Sequence, residues 1–161
     1  YAMDLIQDPR RQLEWLRKIQ PTYLLTYPST LDFFSTLIAD DGIRIPSLEG
    51  IQTFAETLSA DQQARIETAF QVPVHNLYSC SEAGYLASAC PSRHGLHVHA
   101  ENVLIEVLDD NGLPCAPGQT GRVVMTPLRS HSTPMIRYEI QDQATVGANP
   151  CPCGRGLPLL R

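Results

Sequence analysis

The chain has 161 residues, a net charge of −5, and 18% charged against 43% apolar residues. That length allows one core that buries roughly two-thirds of the unfolded surface, and that balance excludes a disordered chain. The acidic charge argues against a nucleic-acid phosphate binder, and no apolar run approaches the roughly 20 residues that span a bilayer.

Leu13, Trp15, Leu16 and Ile19 recur at helical spacing between Asp8 and Ile19, with Pro9 near the start and Pro21 ending the run. Tyr23-Leu24-Leu25 reads as a short buried strand. Ser29 is expected to cap a helix from Thr30 to about Asp40, with Leu31, Phe34, Leu37 and Ile38 inward and Asp41-Gly42 closing it. Ile51 to Phe54 reads as a strand, and Ser59 to Phe70 as a helix capped by Ser59. Val72, Val74 and Leu77 alternate as a strand and run into a small polar turn, Ser79 to Ser81, followed by Glu82-Ala83-Gly84. Alternating strands and helices on short connections predict a parallel βαβ layer.

After Gly84 the rhythm changes. Tyr85–Ala89, Leu96–His99, Val103–Leu108, Arg122–Thr126, Met135–Tyr138 and Ala144–Val146 are short segments between Gly, Pro and Asn turns, and Asp109-Asp110-Asn111-Gly112 is a hairpin signal. The expected fold class is therefore α/β: residues 1–100 as an α/β layer, and residues 101–161 as a small antiparallel β subdomain ending in a Cys-rich knuckle. Five cysteines are an odd number for a disulfide framework. With no signal peptide visible in a polar first segment, they are expected as reduced thiols or metal ligands in the cytoplasm.

A strand that runs into a small-residue turn and delivers a carboxylate suits a ligand site, because ligands sit beyond the carboxyl ends of strands in open α/β sheets. Tyr78 offers a flat ring, Ser81 a hydroxyl, and Glu82 a hard oxygen for Mg²⁺. Tyr78-Ser79-Cys80-Ser81-Glu82 resembles the Tyr-Gly-x-Thr-Glu motif of the adenylate-forming enzymes. Gly118-Gln119-Thr120-Gly121-Arg122, Pro134-Met135-Ile136-Arg137-Tyr138 with Asp142, and Cys151-Pro152-Cys153-Gly154-Arg155 resemble the phenylacetate–CoA ligase branch of that superfamily.

The resemblance implies an ATP-dependent acid–thiol ligase that converts an aryl or acyl carboxylate to an acyl-adenylate and then to a CoA thioester. Tyr78 would lie on or beside adenine, Ser81 would touch phosphate, Glu82 would hold Mg²⁺ in the catalytic role, and Asp142 would take the ribose hydroxyls. The sequence departs from the family at Ser79, where Gly is usual. It departs again at Phe54-Ala55-Glu56, where Gly-Gly-Glu is usual, and at Glu139-Ile140-Gln141, where Arg/Lys-Thr-Gly is usual. The family's phosphate loop and its carboxy-terminal domain with the adenylation lysine are absent. The expectation is a central fragment, inactive alone, partnered by the missing amino- and carboxy-terminal parts of the same enzyme. A homodimer through exposed apolar faces is allowed.

Cys90, His97, Cys151 and Cys153 form a Cys-x6-His … Cys-x-Cys set. Three thiolates and one imidazole make a closed, structural tetrahedral zinc site, and the resemblance implies one here. His94 is the alternative to His97, and buried or loop thiols are the plain reading of the cysteines. His97-Val98-His99 is read as a surface hairpin pair rather than a hydrolytic centre. The competing class for the whole chain is a non-catalytic, zinc-stabilised binding or assembly module.

Overall fold

A computed structural model describes residues 2, 7–148 and 150–161. The chain forms two compact units, Tyr1–Asn76 and Leu77–Arg161. Sequence rhythm sets the break near residue 100, where helices have given way to strands; compactness divides the chain by which residues pack together.

In the first unit α1 (Pro9–Ile19) starts at Asp8, whose carboxylate accepts the N–H groups of Arg10 and Arg11. This satisfies two of the donors a helix start leaves free. Strand β1 (Tyr23–Thr26), α2 (Pro28–Asp41), β2 (Gly50–Thr53) and α3 (Ala60–Phe70) follow, and then β3 (Val74–Cys80) begins. β1 pairs in parallel with β2, and Val74–Asn76 of β3 pairs in parallel with β2. Leu13, Leu31, Phe34, Ile51, Ile66 and Val74 pack into one core between helices and strands. The Ser59 cap is present, with its hydroxyl accepting from Gln62. The Ser29 cap is not. α2 starts two residues earlier, with Pro28 in its first positions, where a fixed φ suits a helix start. Ser29 instead gives its N–H and its hydroxyl to the Glu56 carboxylate, at 2.9 and 2.8 Å.

The second unit holds the rest of β3, then β4 (Gly84–Ala89), β5 (Leu96–Val98), β6 (Val103–Leu108), β7 (Thr120–Pro127), β8 (Tyr138–Thr145) and β9 (Leu159–Leu160). β3 to β5 and β9 pair antiparallel in the order β3-β4-β5-β9, and β6-β7-β8 form a separate three-stranded antiparallel sheet. Leu86, Ala87, Val98, Val103, Val123 and Met125 fill the core. The expected hairpin turn forms, with Asp109 Oδ1 accepting from Asn111 and Leu113. The parallel βαβ layer followed by antiparallel β is the predicted fold class.

Three local expectations change. β3 runs on through Ser79 and Cys80, because these residues still find ladder partners in Tyr85 and Gly84. The turn is therefore Ser81–Ala83. The two segments expected at Met135–Tyr138 and Ala144–Val146 are replaced by one strand, β8, which spans polar residues opposite β7. β9, only two residues long, gave no periodic signal.

Candidate functional site

The hairpin of β3 and β4 places the first group of candidates. Tyr78 and Cys80 are two residues apart on β3, and so share a face; both pack against the second unit's core. Cys80 Sγ lies 3.8 Å from Met125 Sδ. Burial pushes the Cys80 thiol above its ordinary range, against the pull of the Ala83 and Glu82 N–H groups, and the nearby Glu82 carboxylate adds to the rise. Ser81 and Glu82 are exposed on the turn, which Gly84 closes at φ 71°. A hydroxyl and a carboxylate are the group types that meet phosphate and a divalent cation.

Asp142 lies on β8 within an irregular stretch. Arg122 of β7 pairs with Gln143 and Val124 pairs with Glu139, so Ile140, Gln141 and Asp142 bulge between the paired positions. Such bulges re-aim side chains and are common beside active sites. The Asp142 carboxylate accepts a hydrogen bond from the Tyr78 hydroxyl at 2.7 Å. Burial of the half-buried phenol, followed by this bond and the carboxylate's charge, pushes the Tyr78 pKa far above its usual value. The hydroxyl therefore stays a donor. Two candidates 64 residues apart thus meet. Among the described residues no hydrogen bond joins Ser81 or Glu82 to Asp142.

Two positions where the resembled family has glycine keep a glycine-like backbone here. Ala55 and Gln141 both sit at φ 63°, a left-handed conformation that costs an L-residue roughly 1–2 kcal/mol. In the first unit Ala55 turns the chain so that Glu56 reaches the start of α2, while the Phe54 ring lies 4.9 Å from that of Tyr27. Glu56 is the residue that sequence reasoning passed over. Its signal was the family's Gly-Gly-Glu position.

The second group of candidates converges. The ligand atoms of Cys90, His97, Cys151 and Cys153 all lie within 4.8 Å of one another. Cys90 follows β4, His97 is the middle residue of β5, and Cys151 and Cys153 stand on the loop before β9. Cys90 Sγ is 3.8 Å from Cys151 Sγ, and His97 Nε2 is 3.2 Å from Cys153 Sγ. Zinc–sulfur bonds of about 2.3 Å in a tetrahedron set sulfur pairs about 3.8 Å apart, so the geometry fits that ion. His97 Nδ1 faces the Leu157 carbonyl at 3.4 Å. A carbonyl can only accept, so a proton on Nδ1 would be held there and would leave the Nε2 lone pair for a metal, the second-shell arrangement usual for a metal-bound imidazole.

Burial works against a thiolate at Cys90. The N–H groups of His94 and Ser92, together with His97 and Cys153, outweigh it and lower that thiol to about 6. Cys151 is pushed up, first by burial and then by the adjacent Cys153 and Cys90 side chains. His94 is outside the cluster. His97 and His99 do not form a surface pair: His97 is buried in the thiol cluster, and His99 Nε2 meets the Ser88 hydroxyl at 2.7 Å.

No protein-family model and no curated protein sequence matches the chain. Solved structures do. A 2-hydroxyisobutyryl-CoA ligase, in an open conformation in complex with 2-HIB-AMP and CoA, superposes with a TM-score of 0.85 at 24% identity, over 99% of this chain and 39% of its own. The anthranilate CoA ligase AuaEII in complex with anthranoyl-AMP gives 0.71 at 17% identity, over 94% of this chain and 31% of its own. The amide bond synthetase McbA from Marinactinospora thermotolerans gives 0.71 at 16% identity, over 96% and 34%. The chain has the fold of the matching part of these enzymes and spans 39% of the length of the first. Among the described residues no helix is long and apolar enough to cross a membrane.

Proposed function

We propose that this chain is a section of an ATP-dependent carboxylate–CoA ligase of the phenylacetate–CoA ligase-like branch. The reaction is attack of an aryl or acyl carboxylate on the α-phosphorus of ATP, giving an acyl-adenylate and pyrophosphate, followed by thioester formation with CoA and release of AMP. In such chemistry the protein contributes mainly positioning and charge neutralisation.

The observation that carries the reading is the meeting of Tyr78 and Asp142 across 64 residues. These are the two residues whose motifs assign them to one nucleotide. Asp142 would accept the ribose hydroxyls, the Tyr78 ring would lie beside the base, and Ser81 would donate to phosphate. Glu82 would hold Mg²⁺, which when bound neutralises phosphate charge. Cys90, His97, Cys151 and Cys153 would hold zinc. Four protein ligands leave no open position, so that ion would tie loops together and take no part in the reaction.

The test is titration of ATP with Mg²⁺ into the chain. Saturable heat is expected, and Glu82→Gln should weaken the Mg²⁺-dependent binding without moving the melting temperature. If the wild-type chain binds zinc but no adenine nucleotide, the ligase reading falls and a zinc-stabilised assembly module takes its place. Elemental analysis should find one zinc per chain, and its absence would reject the metal site.

A further inference from the structure

We propose that the Tyr78 hydroxyl is a positioning group: it holds the Asp142 carboxylate ready for both hydroxyls of a cis-diol, and so selects ribonucleosides over 2′-deoxyribonucleosides. This rests on the nucleotide reading above and assigns the hydroxyl a task separate from that of the ring.

Asp142 is exposed, and an exposed aspartate left alone samples several rotamers. Here one oxygen, Oδ2, is held at 2.7 Å by a phenol whose ring is packed on the core of the same unit. A carboxylate has two oxygens and about four lone-pair directions. Tyr78 uses one of them. Enough acceptor capacity remains for two diol donors, so the bond fixes the side chain without occupying its function. The backbone is irregular at both ends of this link. Gln141, beside Asp142, sits at φ 63°, and the β3–β4 register shifts between Tyr78 and Ser79. The hydroxyl also remains protonated, because burial and the carboxylate oppose its ionisation. A donor that never ionises suits a permanent clamp.

Tyr78→Phe keeps the ring and removes only the clamp. Adenosine and 2′-deoxyadenosine would each be titrated into the zinc-loaded 161-residue chain, with amide chemical shifts as the readout. The wild type should prefer adenosine. The variant should lose about five- to tenfold of that preference, the scale of one ordinary net hydrogen bond. Asp142→Asn should abolish the preference, and adding Tyr78→Phe to it should change nothing further. An unchanged preference in Tyr78→Phe overturns the clamp while leaving the nucleotide reading standing. No adenosine binding by the wild type overturns both.

The wild type supplies a second readout should the variant misfold. The Tyr78 Cζ shift should keep its hydrogen-bonded value when adenosine is saturating. Movement to the free-phenol value overturns the proposal.

Discussion

At the scale of single residues, Ala55 and Gln141 take a backbone conformation that favours glycine. Both hold φ 63°, the conformation that glycine enters without penalty. Replacing Ala55 with Gly should relieve roughly 1–2 kcal/mol of left-handed cost and give back about 0.4–1 kcal/mol through the freer unfolded chain. The expected outcome is a small net gain, seen as a higher urea midpoint with an unchanged m-value. Ala55→Val should lose stability by the same measurement. The sequence reports these positions only as departures from a glycine pattern. That both positions are left-handed without glycine is visible only in the fold. Tyr78 and Asp142 were each legible from motifs, but the bond between them was not, because nothing in residue order shows that side chains 64 positions apart, on strands of different sheets, meet.

At the scale of elements, periodicity carried the helices. The cap at Ser59 was legible, and the one at Asp8 could have been, because a short side-chain oxygen beside free N–H groups is a local arrangement. Ser59→Ala should therefore cost about 1 kcal/mol by chemical denaturation. Ser29 misled for an equally local reason. It has the right chemistry, but Pro28 already occupies the first turn, and a carboxylate 27 residues away takes the donors. β8 misled because its polar run faces solvent and carries a bulge, which breaks the alternation that marks a strand. The thiol–imidazole cluster was legible in composition and uncertain in membership. His97, the expected ligand, rather than its alternative His94 joins the cluster, because β5 turns it inward. Chelation should lower the melting temperature, and Cys90→Ser should do the same while cutting zinc content. A chelator-insensitive melt would show that the loop before β9 holds without the ion.

At the scale of the molecule, the change from mixed to all-strand rhythm was visible in the sequence, whereas the assignment of β3 residues to two units was not. Phe34 is 2% exposed at the centre of the first unit's core, and Phe34→Ala should cost about 3–5 kcal/mol. All four candidate zinc ligands lie in the second unit. Hydrogen exchange after metal removal should therefore lose protection within Leu77–Arg161 and leave the slow amides of α2 and α3 nearly unchanged. Equal loss in both units would show that the ion stabilises the chain globally.

The spacing of that cluster also sets a timetable. Cys90 and Cys151 are 61 residues apart, and His97 and Cys153 are 56 apart. While the polypeptide is being made, the first two donors emerge long before their companions and offer an ion only half a coordination sphere. Capture of an ion by all four donors would thus wait until the last of them has left the ribosome, and starvation for the ion during synthesis would leave the later segment as the one most open to proteases.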